Sequence, residues 1–388
     1  MKKLLGQLTF WRAVLVMLLG LGLYATYVRF TQGLGAATNL SDQFPWGLWI
    51  GFDILCGVGL AAGGFTLCAI VYIFNIQAYK AVIRPAVLTA FLGYLLVIFA
   101  LLYDLGRPER IWHAIVMWNP SSVMFEVAWC VMLYTTVLAL EFSPILFEKL
   151  GWERPLRIVR AITVPLVIVG VLLSTLHQSS LGSLYLIVPE KLHPLWYSSL
   201  LPVFFFVSAI GAGCAMVIFE SFMSSRAFKR EIEMPQLAQL GRVLVVILMI
   251  YTVMKLQDLA DRRAWVHVVT PTLEAMLYWA EMGLGVLLPM ILLARPHVRR
   301  HPTGLFCSAL LVVLGFVLNR MNVSITGMEA WARAGYFPSW MEIAVTMMIV
   351  ALGITAFALA ARHLPVFSPT AREEKTTMTE SPHLAWAE

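Results

Sequence analysis

The chain has 388 residues, 60% of them hydrophobic and only 13% charged, with a formal net charge of +6. This composition excludes an ordinary soluble domain and reads as an all-α, polytopic membrane protein. The positive balance is no nucleic-acid signal, because the basic residues fall in short loops between apolar runs.

Taken in order, the N-terminal stretch to about residue 30 reads as a retained first helix rather than a signal peptide. Arg12 interrupts its apolar core, and no small-x-small cleavage site follows. Ten spans are predicted at about 11–30, 48–74, 87–105, 122–142, 161–181, 199–223, 241–260, 271–294, 304–325 and 339–362, each near the ~20 residues that a bilayer requires. Residues 1–40 make the first span and its loop, 41–198 a first four-helix unit, and 199–338 a second. Residues 339–365 form a last span, and 366–388 a polar tail expected to be disordered. Of the 28 Lys and Arg, 19 fall on one side of the predicted spans and 7 on the other, with Lys255 and Arg320 inside them. The positive-inside rule then puts both termini in the cytoplasm.

The second span opens on the segment FPWGLWIGFDILCGVGLAAGG, residues 44–64. Trp46 and Trp49 are the amphipathic residues that gather at a membrane boundary, here an expected entrance for a lipid-soluble ligand. Asp53 is a carboxylate in an apolar run, and intramembrane charge is a functional-site hypothesis by default. Gly57, Gly59, Gly63 and Gly64 allow close approach of another backbone. An offset of 154 residues maps Gly57 to Gly211, Gly59 to Gly213, Ala61 to Ala215, Asp104 to Asp258 and His113 to His267. The segment YDLGRPERIWH answers QDLADRRAWVH at the same offset, so the two four-helix units read as parallel repeats.

The polar residues inside spans are the candidate chemistry. Asp53, Glu126 and Glu281 have apolar sequence on both sides, and an unpaired charge there costs several kcal/mol. Glu126 and Glu281 are therefore candidates for proton transfer, with Asp258 and Lys255 as neighbours, while Asp53 and Asp104 are expected to line a quinone site with His177, Gln178 and the Trp46/Trp49 entrance. Asp104, Asp258 and Glu342 also fit helix ends at the interface, paired with Arg107, Arg262 or Lys255. Glu141 and Glu220 read as interface residues at the inner helix ends. His177 begins HQSSLGS, and with Gln178 it offers hydrogen-bond donors beside a flat apolar slot, as a quinone headgroup requires. A membrane b-type haem needs two facing axial His, yet of eight His only His177 lies clearly within a span, and no CxxCH occurs. Cys56, Cys68, Cys130, Cys214 and Cys307 lie in apolar runs with no CxxC pairing. No metal ligand set, haem or iron–sulfur cluster is therefore expected in this chain.

Four segments, FPWGLWIGFDILCGVGLAAGGF, LEFSPILFEKLGW, HQSSLGSL followed by HPLW, and GYFPSW, resemble the NrfD/PsrC (polysulfide-reductase-like) family. Within it they are most similar to the HybB-type membrane subunits of periplasm-facing nickel–iron uptake hydrogenases, over residues 40–365. The resemblance implies a fold of two four-helix bundles in the bacterial inner membrane, reacting with menaquinone or ubiquinone without redox centres of its own. The implied partners are a periplasmic, ferredoxin-like iron–sulfur subunit and the catalytic large and small hydrogenase subunits. The resemblance places Asp53, Asp104, Glu126, His177 and Glu281 at polar positions of the family pattern, and a quinone site near the periplasmic face. A passive anchor, a b-type cytochrome or a proton-coupled transporter are the other classes compatible with buried acids and a repeat.

Overall fold

The structure is a computed structural model that describes residues 10–188, 191–332 and 335–367. The readings on Lys2, Lys3, Arg333 and the tail from residue 368 lie outside the described residues. Among the described residues ten helices are long and apolar enough to cross a membrane: α1 (Phe10–Gln32), α2 (Trp49–Ile73), α3 (Val82–Asp104), α4 (Val123–Leu150), α5 (Thr163–Ile187), α6 (Leu201–Phe228), α7 (Met234–Asp261), α8 (Leu273–Ala294), α9 (Pro302–Ala330) and α10 (Trp340–His363). Helix satisfies every backbone N–H and C=O within one segment, the condition that a bilayer imposes.

Local chemistry sets several starts. Ser122 and Thr272 accept hydrogen bonds from the third residue of α4 and α8, and Ser339 opens α10 in a capping box with Glu342. α4 closes on Gly151 in the left-handed conformation at φ +69°. It runs eight residues beyond the predicted end, and α6 ends at Phe228 rather than 223. Glu141 and Glu220 therefore lie inside their helices instead of at the inner ends.

Helices α2–α5 pack as one ring, α2 on α3, α3 on α4, α4 on α5 and α5 back on α2. Helices α6–α9 close a second ring in the same way. α2 and α5 join the rings by packing on α6, and α9 packs on α2. α1 and α10 pack on each other, with α10 leaning on α3. α2 is the most buried span, because its small residues let three neighbours approach. A Cβ placed on Gly213 of α6 would stand 2.7 Å from the backbone of Ala62 and Gly63, closer than real Cβ contacts allow. Gly213→Leu is expected to force the two rings apart and destabilise the protein by about 3 kcal/mol, at the upper end for overpacking. Thermal unfolding of the purified protein checks this, and an unchanged midpoint would contradict it.

Among the described residues three spans carry π-helical turns. π-helical turns occupy Trp49–Cys56 and Ala69–Ile73 in α2, Ala280–Leu287 in α8 and Asn322–Thr326 in α9. Asp53, Glu281 and Asn322 all sit on such turns, which are frequent at functional sites.

Candidate functional site

Most polar residues singled out in the sequence fall into three separate groups; Glu220 stands apart, accepting from Thr89 Oγ1 at 2.6 Å. The first lies where α1, α2, α3 and α10 meet. Asp53 Oδ2 accepts from Thr346 Oγ1 at 2.7 Å. Asp104 lies within electrostatic reach of Asp53, Arg29 and Glu342, and its Oδ1 is buried without a hydrogen-bond partner. Arg29 donates to the Tyr103 and Leu105 carbonyls at 2.6 Å each. Glu342 accepts from Asn39 N, Ser339 N and the Tyr336 hydroxyl, tying the loops before α2 and α10 to α10. Trp49 belongs to this packing rather than to an entrance. It is 1% exposed, donates Nε1–H to the Glu342 carbonyl at 3.2 Å and meets Tyr103 edge-on. Trp46 stays half-buried, edge-on to Tyr185 at 5.4 Å.

The second group fills the core of the α2–α5 ring. His177 is fully buried. Its Nδ1 lies 2.9 Å from the Tyr94 hydroxyl, while Nε2 has no partner. Gln178 donates to the Val58 carbonyl at 3.2 Å, fixing α5 on α2. One turn below His177, Ser174 Oγ lies close to the Tyr94 and Tyr134 hydroxyls. Ser174 Oγ and the Tyr134 hydroxyl nevertheless complete no hydrogen bond. Buried polar atoms are ordinarily satisfied, so three orphans in one column set this group apart from ordinary packing. One turn above His177, Ser180 Oγ donates to Glu126 Oε1 at 2.6 Å. Glu126 is exposed on the first turn of α4, not enclosed by apolar side chains as its sequence surroundings suggest.

Toward the basic face this column meets Glu141, whose Oε2 lies 3.9 Å from Cys68 Sγ. Gly170 stands opposite, where a Cβ would touch Glu141 Oε1 at 3.5 Å and the Tyr134 ring at 3.7 Å. Below Glu141 a cavity of about 740 Å³ opens, rimmed by Lys80, Arg84, Glu148 and Arg160. Glu148 bridges Arg84 at 3.0 Å and Arg160 at 2.9 Å.

The third group lies in the α6–α9 ring. Glu281 is 1% exposed and accepts from Trp196 Nε1 (2.9 Å), Asn319 Nδ2 (2.7 Å) and Asn322 Nδ2 (3.0 Å). Asn319 Oδ1 accepts from Arg320, which also donates to Ser208 Oγ and lies over the Phe205 and Phe316 rings. Lys255 is buried with its ammonium 4.6 Å from the Phe204 ring centroid. Asp258 is bound through both oxygens by Arg262 and accepts from Ser198 Oγ at 2.5 Å. Outside the spans, burial lowers the His193 pKa, a nearby Glu274 opposing and His267 reinforcing the shift.

The structure thus places His177 and Gln178 together and brings Glu126 to the same helix pair, but sets Asp53 and Asp104 on the other side of α2 and α3. Tyr94, Tyr134 and Ser174 join His177 in its column, and Glu141 lies next to it, none of them a sequence candidate for the site. Arg320 and Asn319 are polar residues whose partners only the fold supplies. Among the described residues no group of three His, Cys, Asp or Glu is arranged to hold a metal ion.

A protein of Nitratidesulfovibrio vulgaris is 43% identical over 362 residues, covering 90% of this chain and 92% of that one. The probable Ni/Fe-hydrogenase 2 b-type cytochrome subunit of Escherichia coli is 34% identical over 346 residues, 88% of each chain. The menaquinone reductase integral membrane subunit of N. vulgaris is 30% identical, covering 94% of this chain and 93% of that one. The sequence profile described as "Polysulphide reductase, NrfD" matches residues 36–332, and with these relatives it makes the chain a multi-pass membrane subunit of the NrfD family.

Proposed function

We propose that the chain is the quinone-reactive membrane subunit of a periplasm-facing oxidoreductase complex in the bacterial inner membrane, both termini cytoplasmic. The observation that carries this reading is the column of orphaned polar atoms at His177 Nε2, Ser174 and Tyr134, with Glu141 between it and the cavity on the basic face. The name of the menaquinone reductase relative favours a naphthoquinone, with ubiquinone the other candidate. The hydrogenase relative favours nickel–iron large and small subunits as catalytic partners, joined through a ferredoxin-like iron–sulfur subunit on the outer face.

Quinone accepts two electrons from the iron–sulfur partner and two protons to become quinol. The protein's part is to place and protonate it. His177 Nε2 is the donor to a quinone oxygen, and Tyr94 on Nδ1 holds the ring and passes it a proton. Glu126, exposed on α4 and bonded to Ser180 of α5 one turn above, marks the lateral approach from the outer leaflet. Protons reach His177 from the cytoplasm by Glu141, Tyr134, Ser174 and Tyr94. Electrons enter from the opposite side, so turnover moves charge across the membrane. Glu281 and Lys255 remain candidates for a second proton route through the other ring. Asp258 is a weaker one, since Arg262 and Ser198 occupy its oxygens.

Glu141→Gln and Gly170→Leu test the route, one removing its acid and the other crowding Val137, Glu141 and the Tyr134 ring, which a Cβ at Gly170 would already meet at 3.1–3.7 Å. Each is expected to slow quinone turnover about tenfold or more while leaving the amount of bound quinone unchanged. Wild-type turnover in both, in complexes of normal quinone content, would remove the cytoplasmic route.

A further inference from the structure

A second cavity on the basic face has no place in the quinone reading. It measures about 370 Å³ and is lined by Met234, Pro235, Ala238, Gln239, Arg242, Arg299 and Arg300. No Asp or Glu lines it, and among the described residues none of the three arginines makes an ion pair. The trio is built rather than incidental. Arg299 is only 8% exposed, donates Nη1–H to the Leu293 carbonyl at 2.6 Å, and runs its stem past Gly241, where a Cβ would stand 3.2 Å from its Cγ. α8 and α7 thus fix a buried guanidinium beside two exposed ones. Burial first, then the like charges of Arg242 and Arg300, lowers the Arg299 pKa. Three clustered cations with no acid among the lining residues are costly unless an anion neutralises them.

We propose that this cavity binds the phosphate headgroup of an acidic phospholipid from the inner leaflet. The depth fits. The lining follows the first turns of α7, where that span meets the membrane boundary, and Met234, Pro235 and Ala238 offer an apolar wall to the glycerol and upper acyl chain. Guanidinium forks match phosphate oxygens in pairs. Basic pockets between spans on the cytoplasmic side are recognised sites for acidic headgroups. The carboxylates of the neighbouring segment, Glu220, Glu231 and Glu233, line a separate cavity with Arg230 and Phe367, and leave this one to its arginines.

The test is native mass spectrometry of the complex purified from membranes and exchanged into phosphatidylglycerol or phosphatidylcholine. The expected result is one phosphatidylglycerol retained per chain and no phosphatidylcholine. In Arg242→Gln/Arg300→Gln, which alters only exposed side chains, retention should fall roughly fivefold per arginine removed. Arg154→Gln/Arg157→Gln, on the same face but outside the cavity, should retain the lipid. Equal retention in the cavity variant, or equal loss in the control, would overturn the proposal. Displacement of the lipid by millimolar inorganic phosphate would also overturn it, by showing a site for a soluble anion.

Discussion

His177→Ala is expected to lower quinone turnover about 10²-fold or more, the usual worth of a positioned acid–base group. The ring is fully buried, oriented by Tyr94, and keeps Nε2 free of any partner in the protein. Tyr94→Phe keeps the ring packing against Tyr134 but removes the bond to Nδ1, so it should give a smaller loss of the same kind. If His177 only packs the core, both variants will unfold more easily yet turn over quinone normally per folded molecule. Turnover normalised to folded protein, with thermal unfolding alongside, separates these cases.

Glu281→Leu is expected to destabilise the protein by about 3–5 kcal/mol, as loss of a buried counter-charge does. Three N–H donors converge on this carboxylate, and removing it strands all three at about 1–3 kcal/mol each before relaxation. It also leaves Arg320 and Lys255 with less opposing charge in the same ring. Glu281→Gln keeps one acceptor oxygen and should lose less. Thermal unfolding of both variants measures this. A Glu281→Leu protein as stable as wild type, but with proton uptake abolished, would instead make Glu281 a carrier in its own right.

The spans were legible in the sequence because a 20-residue apolar run with polar flanks has few other uses. Ser122, Thr272 and Ser339 mark helix starts by a local hydrogen bond that any sequence reader can anticipate. The overrun of α4 was not legible. Its last turns carry Glu148 and Lys149 among apolar residues, and only packing against α5 and the short helix Glu153–Ala161 decides that they stay helical. The π-turns were hidden for a different reason. They share composition with α-helix, and the extra residue per turn is set by what the neighbouring helices accommodate.

The site was legible by type and less so by grouping. That His177 and Gln178 find partners inside the bundle was readable, because a polar run inside a span has a cost that must be met. Trp49 was misjudged because a Trp at a helix start looks the same whether it faces lipid or a neighbouring carbonyl. Glu126 looked enclosed from its apolar neighbours in sequence, but its face of α4 points outward. Tyr94, Tyr134 and Ser174 carry no signal of their own. Tyrosines and serines are common in spans, and only the approach of α3, α4 and α5 gathers these three beneath one histidine.

The most direct test of the quinone reading is a reduced-minus-oxidised optical spectrum of the complex purified with its natural partners, together with extraction and identification of bound quinone. The expected result is about one quinone per chain, lost or weakened in His177→Ala, and no haem band that follows this chain. A bis-histidine b-type haem retained by the isolated chain would contradict the account and make the subunit a cytochrome.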